Sequence, residues 1–317
     1  MWGRTRETDS GWVGAAPGDD LDRRLEVEQE PFDLARPHVW TLLGPIAPGA
    51  LGTTLVGEPL DVTVRSFDRL DAGATPREAL LAELEDAYAA GVRAIVGLCR
   101  SERALDELGW LAGRSGVHLV AAAPPAVLAA DDDCPIGAIL LDLDELGRSS
   151  DDKAEQVVAL CRERSLPVSV RARSPRAARD AATTLLRHGL EADRLWVGGC
   201  SWEDDVGAAV AVIESGASVA FDGLYRGEPA RPPAQRGGAN VAVIAALVRA
   251  DHAARLLLGS GIDRAERYRV GGGESGLAAV IGRFPLDLME EGVEATAIQQ
   301  MLVAAPARLL TIRAERG

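Results

Sequence analysis

The chain repeats one unit, a short and nearly continuous apolar run followed by a helical pattern. The runs cover residues 53–58, 93–98, 117–123, 137–143, 167–172, 194–199, 217–222 and 255–260. Helical patterns fill most of the intervals, over 76–91, 151–165, 175–188, 203–215 and 239–252. The first of these has Pro76 near its start and Gly91 at its end, the residues that suit a helix's first turn and its termination. Strands that lack polar alternation are covered on both faces, and that is the condition of parallel strands flanked by helices. Eight such units predict an α/β fold, a (β/α)8 TIM barrel, in preference to an open sheet. The unit after the third run, PPAVLAADDDCP, is the least regular.

Residues 1–37 stand outside this rhythm. They hold nine acidic and five basic residues with little apolar periodicity, and read as an N-terminal extension, a mobile or loosely docked arm. Residues 38–317 form the barrel in this reading. A net charge of −14 opposes nonspecific binding to nucleic acid or to an anionic membrane surface. No apolar run reaches the roughly 18 residues of a membrane span, and the first residues lack a signal peptide's apolar segment. Cys99, Cys134, Cys161 and Cys200 are scattered without a C-x-x-C pair, which fits reduced thiols in the cytoplasm.

Barrel chemistry sits where strands end, so the C-terminal ends of the eight runs are the candidate site. No histidine falls there. The chain has only four, and a single lysine, Lys153, against 33 arginines. His38 precedes the first run, and His118 begins the third. His188 closes a helix, where a cation favours the last carbonyls. His252 lies on the helix before the last run. All four read as structural, because a ligand or general base must converge with partners. The stretch Gly271–Gly276 satisfies G-x-G-x-x-G, but it follows the last strand only after about ten residues, not directly as a dinucleotide fingerprint requires. An anion contact from such a loop stays open.

The segments LLGPIAPGALGTTLVGEPL (42–60) and GGGESGLAAVIGRFPLDLMEEGVEATAIQQMLVAAPARLL (271–310) resemble the two ends of the phosphotriesterase family in the amidohydrolase superfamily. DRLWVGG, VAFDG and RLLLGSG resemble the strands between, in order. The resemblance implies a two-metal centre built from histidines on strands 1, 5 and 6, a carboxylated lysine or a glutamate on strand 4, and an aspartate on strand 8. Carried over by motif, these positions fall on Gly57, Pro59, Leu141, Arg171, Gly199 and Gly261, with Asp142 at the alternative glutamate position. Catalytic zinc takes at least three protein ligands, and a two-metal site more. A permanent cation at Arg171 would also repel a metal. The expectation is therefore a divergent member without metal and without any other cofactor.

The polar groups left at the strand ends are Asp142, Arg171, Arg173, Cys200, Trp202, Glu203, Asp222, Tyr225, Arg226, Ser260 and Asp263. Arg171 and Arg173 could present two guanidinium groups to a carboxylate or phosphate, with Cys200, Tyr225 and Ser260 beside them. Alternatively, Arg171 pairs with Asp142 or Asp222 and fills the lost metal site. Glu58 lies between the lost histidine positions, and strand alternation turns it toward the helices. Cys200, Ser201 and Ser260 each lack a histidine base.

Three functions compete on these residues. One is a degenerate homologue that binds an anionic small molecule or a partner; the resemblance implies dimers, so a homodimer or a pairing with an active homologue is expected. Another is a metal-independent enzyme with Asp222 or Asp142 as acid/base and Arg171 holding an anionic substrate. The third is a residual metal-dependent hydrolase of ester, lactone or phosphoester bonds.

Overall fold

The structure is a computed structural model that describes residues 32–60, 75–129, 135–143, 150–225, 238–263, 267–269 and 276–313. Most of the N-terminal arm, residues 1–31, lies outside the described residues, as do Arg226, Cys134 and the glycine-rich stretch 271–275.

All eight apolar runs are strands of one parallel sheet. In chain order, after a small hairpin β1 (Val39–Thr41) and β2 (Gly44–Ile46), they are β3 (Thr54–Glu58), β4 (Ala94–Leu98), β5 (His118–Ala123), β6 (Ile136–Asp142), β7 (Val168–Arg171), β8 (Leu195–Gly198), β9 (Ser218–Phe221) and β10 (Leu256–Leu258). Each pairs in parallel with its sequence neighbour, and helices lie between them in a nearly closed (β/α)8 barrel. Two apolar layers follow from the alternation. Val56, Val96, Val120, Leu140, Trp196, Ala220 and Leu257 fill the barrel interior. Their neighbours Leu55, Ile95, Leu119, Leu141, Val170 and Val197 pack in the larger cluster with the helices.

The helices start where the sequence offers caps. Pro76–Ala90 opens with a capping box between Thr75 and Glu78 and stops at Gly91 in the left-handed region. Glu102–Ser115, Pro175–Arg187 and Val206–Glu214 begin at Ser101, Ser174 and Asp205, whose side chains accept a first-turn N–H. The expected helix from 203 begins later for this reason: 202–204 form a 3-10 turn, and Asp205 caps the helix proper. The helix expected over 239–252 spans Gly238–Arg249, so His252 sits after it, at the start of a 3-10 turn. Among the described residues no helix is long and apolar enough to cross a membrane.

The β1–β2 hairpin, which no periodicity announced, caps the end of the barrel where strands begin. Leu42 N–H donates to the Leu119 carbonyl at 2.8 Å, and Val39 joins the interior cluster with Leu51, Leu309 and Leu310. His38 and Ile312 exchange backbone bonds at 3.1 and 2.7 Å, tying the two ends of the barrel sequence together. β3 and β10 are the sheet's terminal strands, and no ladder joins them among the described residues. The seam is nevertheless tight, since a Cβ at Gly259 would fall on the Val56 carbonyl oxygen. Gly259→Ala forces the two backbones apart, and nothing flexible lies there to relieve the clash. We expect a loss of about 2 kcal/mol or more, toward the top of the overpacking range, measured by urea unfolding. An unchanged midpoint would mean that the seam is looser than this.

Candidate active site

Two strands deliver opposite charges to the barrel mouth. On β7, Val168 and Val170 pack toward the helices, so alternation turns Ser169 and Arg171 inward. On β9 the inward face carries Ala220, and Asp222 follows two residues later. Arg171 Nη1 donates to Asp222 Oδ2 in a direct ion pair. The Gly199 N–H donates to Asp222 Oδ1 at 2.9 Å. The Asp222 side chain is 2% exposed and that of Arg171 11%, so the pair is dry on nearly every side. The glycines around it make the space. A Cβ at Gly57 would stand 2.6 Å from Asp222 Oδ2 and 3.2 Å from Arg171 Nη1, and one at Gly198 would stand 2.7 Å from Asp222 Oδ2. Gly199, φ +86°, presses instead on the Ala172 backbone, and a Cβ at Gly261 would fall on the Asp222 carbonyl.

The other candidates are spread around this pair. Asp142 is the register partner of Arg171 across β6 and β7, yet its Oδ2 takes Arg100 Nη2 at 3.2 Å, with Arg100 half exposed. Leu141 packs with the helices rather than at the mouth. Arg173 is exposed just before the cap of helix Pro175–Arg187. Cys200 is half-buried against the sheet–helix cluster. Tyr225 binds the Ser260 carbonyl through its N–H at 2.9 Å, and its hydroxyl donates to Ala279 O at 3.2 Å. Burial holds that phenol protonated. Trp202 is buried with its indole N–H on Ala220 O at 2.9 Å, and Asp263 takes Arg267 at 3.1 Å. Among the described residues Glu203 Oε2 is buried without a hydrogen-bond partner. The histidines lie away from this end: His118 begins β5, His188 contacts Asp151 at 3.2 Å, and His38 and His252 are placed as described above.

Glu58 is the group that residue-by-residue reading undervalued. Gly57, φ +80°, breaks the register between β3 and β4, so Val56 pairs with Val96 and Glu58 with Gly97. Because the bulge interrupts alternation, the Glu58 carboxylate does not point at the helices. It crosses the seam and accepts from Ser260 N and Ser260 Oγ, each at 2.5 Å, and from Gly261 N at 3.2 Å. Ser260 is fully buried, and its hydroxyl is committed to this carboxylate. The available signal was a lone carboxylate in an otherwise apolar strand, since such a group must find buried partners.

The phosphotriesterase family's sequence profile matches residues 138–310. The chain belongs to this family. Among solved structures it is similar to a lactonase from Listeria monocytogenes, at 17% identity and TM-score 0.74, covering 87% of this chain and 99% of that one. A mutant phosphotriesterase-like lactonase from Deinococcus radiodurans gives 18%, TM-score 0.69, and coverage of 86% and 99%. An organophosphorus hydrolase from the same organism gives 17%, TM-score 0.70, and coverage of 88% and 98%. No curated protein sequence matches. At these identities the structures speak to the fold alone.

The phosphotriesterase-family resemblance implies metal ions at this mouth, and the residues present do not fit them. Among the described residues no group of three His, Cys, Asp or Glu side chains could hold a metal ion. Asp222 gives one oxygen to Arg171 and the other to the Gly199 N–H, and the Arg171 cation occupies the same space. No chemical step is derived through a metal here.

The electrostatics of Glu58 give a pH dependence. Burial, aided by the charge of Asp222 and opposed by the bonds from Ser260 and Gly261, raises its pKa from 4.5 to about 7. Tyr268, also fully buried, has its pKa raised by burial and then by the Glu58 charge, so it stays a neutral phenol. Between pH 4.5 and 7 the folded state therefore binds the proton that the unfolded state releases. Stability from this group is highest below the unfolded pKa and falls as pH rises to about 7, by roughly 3 kcal/mol at most. In Glu58→Gln this dependence vanishes. The difference in unfolding free energy between wild type and variant should slope downward from about pH 5 to about pH 7.5, and a flat difference would contradict the assignment.

Proposed function

We propose that this phosphotriesterase-family barrel is a metal-independent, non-catalytic member that binds a small anionic molecule or a partner protein at its mouth. The carrying observation is the closed Arg171–Asp222 pair, set among glycines where the resemblance places metal ligands. A carboxylate with one oxygen on a guanidinium and the other on a backbone N–H has both oxygens committed within the barrel, and is poorly placed to act on a substrate. Two exposed guanidinium groups follow the ends of β4 and β7, Arg100, which is paired with Asp142, and Arg173, and an anionic ligand at the mouth would meet them. A second copy of the chain or an active relative is the partner reading, and reduced cysteines suit a cytoplasmic setting.

A metal-independent enzyme is the second reading, and Asp142 favours it over Asp222. Its side chain is 15% exposed, and its cation, Arg100, reaches it from solvent.

The decisive experiment is metal analysis of the full chain after incubation with zinc, manganese and cobalt, followed by assays on lactones and an organophosphate triester. We expect substoichiometric metal and no hydrolysis above background with any of the three. One or two bound metals per chain together with turnover would overturn the proposal. Turnover without metal that is lost in Asp142→Asn but kept in Asp222→Asn would replace it with the second reading.

A further inference from the structure

We infer that four arginines at the end of the barrel where strands begin, Arg194, Arg255, Arg308 and Arg313, form a binding site for a phosphate group, free or as a monoester. The site uses none of the residues of the mouth, so it stands apart from the reading above. The turns that lead into two strands bring the four together. Arg194 ends the 3-10 turn before β8, and Arg255 ends the one before β10. Arg308 lies on the short helix Ala305–Leu310, and Arg313 follows that helix. Arg308 Nη2 donates to Ala254 O at 2.8 Å, which sets its head group beside Arg255. Arg194 Nη1 donates to Thr311 O at 2.6 Å, and so meets the chain between Arg308 and Arg313. Arg313 Nη2 reaches back to Asp193 Oδ2 at 3.4 Å, next to Arg194.

Positive charge in this cluster is poorly answered. Among the described residues its one ion pair is Arg313 with Asp193, and Glu191 is the other carboxylate whose charge acts on it. Arg194, Arg255 and Arg308 are half-buried. Arg255 Nη1 and Arg308 Nε are themselves closed off from solvent, and among the described residues neither has a hydrogen-bond partner. An unmet donor on a charged group costs more than one on a neutral group. Burial and then the charge of Arg255 lower the pKa of Arg308, with Arg313 adding to the effect and Asp193 opposing it. A guanidinium keeps its proton nonetheless, so the fold carries the repulsion until an anion relieves it.

A phosphate group suits these donors better than a carboxylate does. It carries about −1.5 to −2 charges at neutral pH and directs its oxygens to several sides, so guanidinium groups from separate elements can share it. A carboxylate offers one charge and two oxygens in one plane, which a single guanidinium fork already satisfies.

The test is thermal unfolding of the full chain at neutral pH and constant ionic strength, with inorganic phosphate exchanged for chloride. Wild-type Tm should rise saturably, by roughly 2–5 °C at about ten times the dissociation constant, and calorimetry should give one phosphate per chain. A general salting effect would instead grow without saturating and be shared by every variant. In Arg255→Gln the saturable rise should vanish, while Tm in chloride alone should match or exceed that of wild type because a repelling charge is gone. Arg308→Lys keeps the charge without the Nε donor, and should weaken phosphate binding about tenfold or more; it carries the test if Arg255→Gln fails to fold. Glycerol phosphate run in parallel separates the sources. Binding tighter than that of inorganic phosphate assigns the site to a phosphorylated metabolite, and weaker binding assigns it to free phosphate. The inference is overturned if phosphate leaves wild-type Tm unchanged, or if Arg255→Gln keeps the full rise. The first result would give the cluster to acidic residues of the N-terminal arm, whose chain joins the barrel beside Arg313 through the His38–Ile312 bridge. The second would place the anion elsewhere on the molecule.

Discussion

A carboxylate sealed inside a barrel must be answered by donors or by a cation, and the arrangement of this molecule's mouth follows from that need. Asp222 is answered by Arg171 and the Gly199 N–H. Glu58 is answered by Ser260 and Gly261. Glu83, buried on helix Pro76–Ala90, accepts from Arg269 N at 2.9 Å and Leu277 N at 2.7 Å. The last two carboxylates hold the segment that follows β10, Glu58 at Ser260 and Gly261 and Glu83 at Arg269 and Leu277. Unpaired backbone N–H groups in such a segment would cost as much as the carboxylates do, so each satisfies the other.

The same logic explains how the barrel closes. Parallel strands gain their stability from ladders, and the β3–β10 edge has none among the described residues. Gly259 lets the two backbones approach, and the Glu58 carboxylate supplies the hydrogen bonds across the gap. The Gly57 bulge is what frees Glu58 for this, since strict alternation would have aimed it elsewhere. One bulge thus clears room beside Asp222 and turns the next residue into the bond that fastens the seam.

Much of the fold was legible because buried parallel strands carry their own signature: continuous apolar runs at regular spacing, with helical patterns between them. The hairpin at 39–46 was not, because three-residue strands are too short to show a period. At the site, spacing narrowed the partner of Arg171 to Asp142 or Asp222 but could not choose between them. Register makes Asp142 the nearer neighbour in the sheet. The choice was made by Arg100, which comes from the end of β4, 42 residues away in sequence, and draws Asp142 off. Glu58 was discounted by an alternation rule that holds only for an unbulged strand, and a glycine within a strand is the mark of where that rule can fail.

The glycines at the strand ends bear on reversibility. A glycine at a strand end at first sight leaves room for a side chain. Here that room has been taken. At Gly57 and Gly198 the first atom of any side chain would meet Asp222, and at Gly261 it would meet the backbone of the same residue. Placing a histidine at Gly57 therefore requires the ion pair to leave, and removing Arg171 alone breaks a buried pair. Substitution at one position at a time passes through destabilised states in either direction. The Arg171–Asp222 pair and its glycines form one coupled unit, and the free-energy changes of substitutions within it should not add.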